Sequence, residues 1–434
     1  MIAKAIATRP GRVLALLFAA NLLNFYDRTL PAVLAEPIRI AWGLSDVHIG
    51  LVGAAFTLAY ALAGLPLGRM ADTRSRKWII AIGLVIWSLL TGVNGLVTGF
   101  TTLLIVRIGI GLGEAAFAPG ANALIADLYP SERRGRATGI MMLGLPIGMI
   151  LAFFTTGAIA EYFGTWRAPF FIAMIPGLIV AALFMLIREP ERGATDAKVA
   201  NPVRIDRPIR TLLSIPTFWL IIASGVTFTF AGYATTTFMV PNLQRFFGLS
   251  LTEAALSVGV IVGVTGLIAL PLGGLIADKL HGRFRRGRLM FGAGCMAMSA
   301  ILTVVALSQP AHQVELFIGL FAAGWFFQYV YFTTAYPAIH DVVPPQLRAT
   351  AIAVFFAMFY ILGAAFGPLI VGVLSDQVAG DAMRTAGASE MTEAFRAIGL
   401  HASLSIVPVM LLITSALIVL AALRFSHDSQ VARK

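Results

Sequence analysis

The chain has 434 residues, 58% of them hydrophobic and only 12% charged, with a mean hydropathy of +0.86. Such a composition excludes a soluble globular domain and places the chain among integral membrane proteins. The net charge of +11, from 32 basic and 21 acidic residues, would raise nucleic acid as a partner in a soluble chain; here the bases lie between apolar segments and mark topology instead.

Apolar stretches long enough to cross a bilayer, about 20 residues each, recur along the whole length. In chain order they are 13–36, 47–69, 78–98, 102–127, 137–160, 168–187, 217–243, 254–278, 289–308, 314–340, 349–375 and 400–423. They predict an all-α protein with twelve transmembrane helices. A barrel is excluded because its strands alternate in hydrophobicity over about ten residues, whereas these runs are longer and continuously apolar. The first run follows Lys4, Arg9 and Arg12 as a signal peptide would, but the charged pair Asp27–Arg28 inside it argues against cleavage.

The polar stretch from Arg188 to Ser214, broken by Pro190, Pro202 and Pro208, divides the helices six and six. The expected organisation is an N-terminal half over 1–188, a cytoplasmic linker over 189–215 and a C-terminal half over 216–434. Lysine and arginine concentrate at both termini and in alternate loops, so the positive-inside rule predicts cytoplasmic termini, with membrane phospholipids as the acidic partners of those bases. Cys295 is the lone cysteine and the six histidines lack ligand spacing, so no disulfide, metal or other cofactor is expected.

The halves echo one another, as repeats in transporters do. "GLPLGRMADTRSRKW" closes the second segment and "ALPLGGLIADKLHGRFRRGR" the eighth, pairing Pro66 with Pro271 and Asp72 with Asp278. Likewise "ADLYPSERRGRATG" is matched by "HDVVPPQLRATA", pairing Asp127 with Asp341 and Arg136 with Arg348. These features resemble the major facilitator superfamily. "GRMADTRSRK" is similar to that family's loop 2–3 signature through Gly68, Asp72, Arg76 and Lys77, departing at Thr73, where a base is usual, and at Ser75, where glycine is usual. "RIGIGLGEA" is similar to the family's fourth-helix segment through Arg107, Gly111 and Gly113.

"NLLNFYDR", "GLGEAAFAPGANALIADLYPSERRGRATGI" and "GLPIGMILA" look like the spinster branch, whose members are associated with lysophospholipids and sphingoid phosphates. The Asp-Arg and Arg/Glu pairs are shared with symporters of sugar acids. The resemblance implies that Asp72, Arg76, Lys77 and Asp278 act in gating, and that the first and fourth helices adjoin.

Four ionisable residues lie inside predicted spans: Asp27, Arg28, Arg107 and Glu114. Each costs about 3 kcal/mol at a helix centre on insertion scales, so they need a function or mutual compensation. Arg107 and Glu114 are two turns apart on one helix face. In the functional reading Asp27 and Glu114 accept protons, while Arg28 and Arg107, with Asn24 and Tyr26 beside them, receive an anionic substrate group. In the alternative reading the four form a permanent salt-bridge network locking the first helix to the fourth.

No charge lies near the centre of any span from 217 to 423; instead "FTFAGYATTTF" and "WFFQYVYFTTAY" are dense in aromatics, with Gln328, Tyr329 and Tyr336 as polar handles. A site charged in one half and apolar in the other fits an amphipathic anion. "GIGLGEA" superficially suggests a dinucleotide fingerprint, but no strand precedes it, and no nucleophile, base or metal set suggests an enzyme. The sequence therefore predicts a proton-coupled secondary transporter of a lysophospholipid-like anion working by alternating access, a monomer in a bacterial inner membrane. The alternative cargo is a small organic anion such as a sugar acid.

Overall fold

A computed structural model describes residues 10–192 and 208–431, and no strand occurs among them. The long helices are α1 (Pro10–Val33), α2 (Asp46–Thr73), α3 (Arg76–Asn94), α4 (Phe100–Leu128), α5 (Glu132–Tyr162), α6 (Ala168–Leu186), α7 (Pro216–Arg245), α8 (Leu251–Arg283), α9 (Gly287–Leu307), α10 (Val314–Val342), α11 (Thr350–Thr385) and α12 (Glu393–Ser429). Each predicted segment corresponds to one of them. Helices α2 to α12 are long and apolar enough to cross a membrane. At 24 residues α1 has the length as well, and Asn21, Asn24, Asp27 and Arg28 are what make it more polar than the others. The predicted linker contains a short helix, Pro208–Leu213, and its residues 193–207 lie outside the described residues.

Two compact units divide the chain. One comprises Met1–Leu44, Leu51–Ala200 and Leu251–Gly259, the other Ser45–Gly50, Asn201–Ser250 and Val260–Lys434. The first turn of α2 thus belongs to the second unit. There the buried Asp46 carboxylate accepts two 2.8 Å hydrogen bonds from Arg245 and one of 2.6 Å from Ser375. Asp376 accepts from the Asp46 and Val47 amides, satisfying two of the donors a helix start leaves open. The start of α8 belongs to the first unit, where the Glu161 carboxylate accepts from the Thr252 amide and hydroxyl in the same manner. Hydropathy alone could not find Asp46 and Glu161, because they sit where helices start or end.

Within the first unit, close backbone approach places the helices that carry charge. A Cβ at Gly148 of α5 would collide with the Leu22 carbonyl oxygen of α1, and one at Gly111 of α4 would lie 2.6 Å from the Phe56 carbonyl oxygen of α2. The Asn21 amide donates to the Met141 carbonyl at 2.9 Å and pins α1 to α5. Two prolines interrupt the backbone where the charges sit. Pro31 deprives the Asp27 carbonyl of its intrahelical donor, and Pro119 does the same at Ala115, where α4 breaks between Glu114 and Phe117. Such breaks are tolerated in a membrane helix when neighbours re-satisfy the freed groups.

In the second unit, π-helical turns occur at Phe359–Ala364 of α11 and over Gly259–Val264 of α8. A π-turn frees a carbonyl from the regular ladder. At Val262 that carbonyl is taken up by the Tyr329 hydroxyl, which donates to it at 2.6 Å.

Candidate functional site

The four charges predicted to matter come together in the first unit, all at least nine-tenths buried. Arg28 donates from Nε to Glu114 Oε2 at 2.6 Å, a charge-assisted bond linking α1 to α4. Asp27, 2% exposed, accepts from the Thr91 hydroxyl of α3 at 3.4 Å through Oδ2. Its Oδ1 and Glu114 Oε1 are buried without a partner among the described residues, as is Asn24 Nδ2. Tyr26 points to α5, where its hydroxyl meets Thr155 Oγ1 at 3.0 Å; because Thr155 itself donates to the Leu151 carbonyl, Tyr26 is the donor. Helix α1 therefore offers an ion pair on one side and a phenol on another, around a carboxyl with room for a further partner.

Arg107 is the exception among the arginines. Its side chain is 3% exposed, its Nε has no partner, and its guanidinium makes no hydrogen bond or ion pair with the described residues. Its neighbour is an aromatic ring, with Cζ lying 4.6 Å from the Phe56 centroid. Arg28 shares that ring at 5.3 Å and lies over Tyr60 at 4.1 Å and Phe25 at 5.1 Å. Of the four charges, Arg28 and Glu114 form an ion pair, while Arg107 and Asp27 are coupled to that pair and to each other without a salt bridge among the described residues. Phe56, Tyr60, Thr91 and Thr155 were not singled out from the sequence. The Phe56/Tyr60 spacing of one turn was visible, but an aromatic pair in a membrane helix ordinarily reports packing.

The residues expected to gate are placed as follows. Arg76 is buried and ion-paired with Asp127; its amide and Nε donate to Glu189 Oε1 at 2.8 and 3.0 Å, and it also reaches the Pro190 carbonyl. Ser75 stands where the family pattern has glycine, and its backbone, at φ −61°, ψ 118°, needs none. Its hydroxyl caps α3 by accepting from the Trp78 amide and donates to Glu189. Asp72 is exposed on the last turn of α2, Lys77 lies over the Trp78 ring at 5.2 Å, and Asp278 accepts from Arg288 at 2.9 Å while largely exposed.

Burial raises the Glu189 carboxyl, but the hydrogen bonds from Ser75 and Arg76 outweigh it and hold the group below its usual range. A depressed native value stabilises the fold above the unfolded pKa of about 4.3 and loses that contribution as pH falls through the native value. Glu189→Gln is therefore expected to lower the melting temperature at neutral pH, with the difference from wild type closing on acidification. A difference independent of pH in thermal unfolding would remove the carboxylate's charge as the cause.

In the second unit the predicted polar handles fall among aromatics from α7, α10 and α11. Phe228 stacks on Tyr331 with centroids 4.1 Å apart, and Tyr336 packs edge-on against Phe355 at 5.3 Å. Gln328 is buried with Nε2 unpartnered, whereas the Tyr329 hydroxyl is committed to α8. Among the described residues, the charged side chains Asp46, Arg245 and Asp428 of this unit are buried at helix ends.

Comparison with known proteins agrees with this architecture. The profile of the Major Facilitator Superfamily matches residues 17–368. An MFS-type efflux pump of Mycolicibacterium smegmatis is 31% identical over 366 residues, 83% of this chain and 83% of that protein. Human protein spinster homolog 1 is 27% identical over 397 residues, 85% of this chain and 74% of that protein. A crystal structure of a bacterial homolog of the human lysosomal transporter Spinster, inward-facing and unoccupied, superposes with a TM-score of 0.88 at 28% identity, covering 96% of this chain and 98% of that one. The chain belongs to the major facilitator superfamily and, within it, to the spinster branch of transporters.

Proposed function

We propose that the protein is a proton-coupled secondary transporter that moves an amphipathic anion, a lysophospholipid or sphingoid phosphate in chemical class, by alternating access. The observation that carries this reading is Arg107: a buried guanidinium whose Nε has no partner and which forms no ion pair among the described residues, electrostatically coupled to a carboxyl, Asp27, that has an unpartnered oxygen. A planar guanidinium receives phosphate or carboxylate through two parallel bonds, which gives the anionic head its register. Asp27 is the proton site, because Glu114 is held by Arg28; a proton on Asp27 removes negative charge beside Arg107 and so favours anion binding. In the second unit, Gln328 and Tyr336 belong to helices whose aromatic cluster, from α7, α10 and α11, is apolar surface of the kind a hydrocarbon chain packs on. In this reading Asp72, Arg76, Lys77 and Asp278 stabilise one access state, both termini are cytoplasmic, and the carrier is a monomer of a bacterial inner membrane.

A small organic anion such as a sugar acid is the second reading, favoured by Asn24, Tyr26 and Thr155, which would serve hydroxyl groups. The deciding experiment follows pH in weakly buffered proteoliposomes on addition of lysophospholipids or of hexuronates. Proton movement with lysophospholipid alone is the expected result; movement with hexuronate alone transfers the assignment to the second reading. Transport of either without proton movement would end the proposed coupling.

A further inference from the structure

A buried guanidinium without a partner is a liability unless something fixes its position. Arg107 has four side-chain torsions that set its planar head, and two carboxyls of the same unit, Asp27 and Glu114, compete for it. Both attract it, yet it forms an ion pair with neither, and its Cζ lies 4.6 Å from the centroid of the Phe56 ring. Phe56 is 5% exposed, it stacks on Tyr60 with centroids 6.3 Å apart and planes at 19°, and its backbone carbonyl abuts Gly111, one turn from Arg107 on α4. The negative face of an aromatic ring attracts a guanidinium without using any of its N–H groups. An arginine held by a ring therefore keeps all five donors for a ligand, which an arginine held by a carboxylate cannot do.

We propose that Phe56 is a positioning residue of the anion site: its ring face holds the Arg107 guanidinium, with its hydrogen-bond donors unspent, where the substrate's anionic group arrives. The inference rests on the reading above that Arg107 receives that group. Arg28, 5.3 Å from the same ring, is engaged by Glu114 and takes Tyr60 as its main aromatic partner, so the two cations divide the aromatic pair between them. Holding the head in place beforehand reduces the ordering that binding must otherwise supply.

The test replaces Phe56 with phenylalanines bearing one, two and three fluorines, which drain the ring's negative face while keeping its shape, and with leucine. The dissociation constant for lysophosphatidylglycerol is expected to rise stepwise with fluorination, by about three- to tenfold at the trifluoro ring. Melting temperatures without ligand are expected to fall along the same series, and by less when Arg107 is also replaced by methionine. A flat fluorine series with a damaged Phe56→Leu would show that the ring only packs, and would overturn the proposal. If wild type binds no lysophosphatidylglycerol, the assigned cargo fails while the melting series still decides the role of Phe56: equal slopes with and without Arg107 would reject it.

Discussion

Arg107→Met is expected to weaken binding of the anionic substrate by about a hundredfold, the equivalent of roughly 2.8 kcal/mol for the loss of a buried charge-assisted contact. The same substitution is expected to leave the ligand-free protein at least as stable as wild type, because it removes a buried cation that no described residue pairs with. Arg28→Met supplies the contrast. It strips Glu114, 0% exposed, of its counter-charge, and breaking a buried pair from one side costs about 3–5 kcal/mol. Methionine keeps most of the side-chain volume, so packing changes little in either variant. Thermal unfolding and ligand titration of both separate the roles: stability held and affinity lost for Arg107, stability lost for Arg28. Should Arg107→Met unfold the protein as Arg28→Met does, Arg107 is a structural cation and the anion site lies elsewhere.

Asp27→Asn is expected to abolish substrate-dependent proton movement while preserving exchange of substrate across the membrane. Asparagine copies the protonated acid in size and charge and cannot release a proton. In wild type, anion affinity is expected to rise as pH falls, since proton and anion binding are linked and the linkage is reciprocal. In the variant, affinity is expected to match the low-pH wild-type value at every pH. Isothermal titration in buffers of different ionisation enthalpy reads both quantities, because the wild type takes up protons on binding and the variant does not. Proton uptake that survives in Asp27→Asn would move the coupling to Glu114 or outside this cluster.

Much of this was legible in the chain as written. The number and order of the helices follow from hydropathy, because each bilayer crossing needs its own uninterrupted apolar run. Asp27, Arg28, Arg107 and Glu114 stand out for the converse reason: a charge in such a run is expensive and seldom idle. The internal repeats, and with them the family, were readable from Asp72/Asp278 and Asp127/Asp341. Less legible were the roles of residues whose type is ordinary in a membrane helix. Phe56 and Tyr60 are two aromatics among many, and Ser75 departs from the family pattern for a reason, its bond to Glu189, that lies more than a hundred residues along the chain.

What the sequence determined by itself is a membrane-embedded chain of twelve helices with a costly charge cluster in its first half. Composition and periodicity are local properties, and lipid imposes them segment by segment. Which charges pair was decided only by tertiary structure. Whether Arg28 or Arg107 takes Glu114 depends on how α1 approaches α5 at Gly148 and α4 approaches α2 at Gly111, a matter of a few ångströms between residues far apart in the chain. In that arrangement Arg28 holds Glu114 and Arg107 lies over the ring of Phe56.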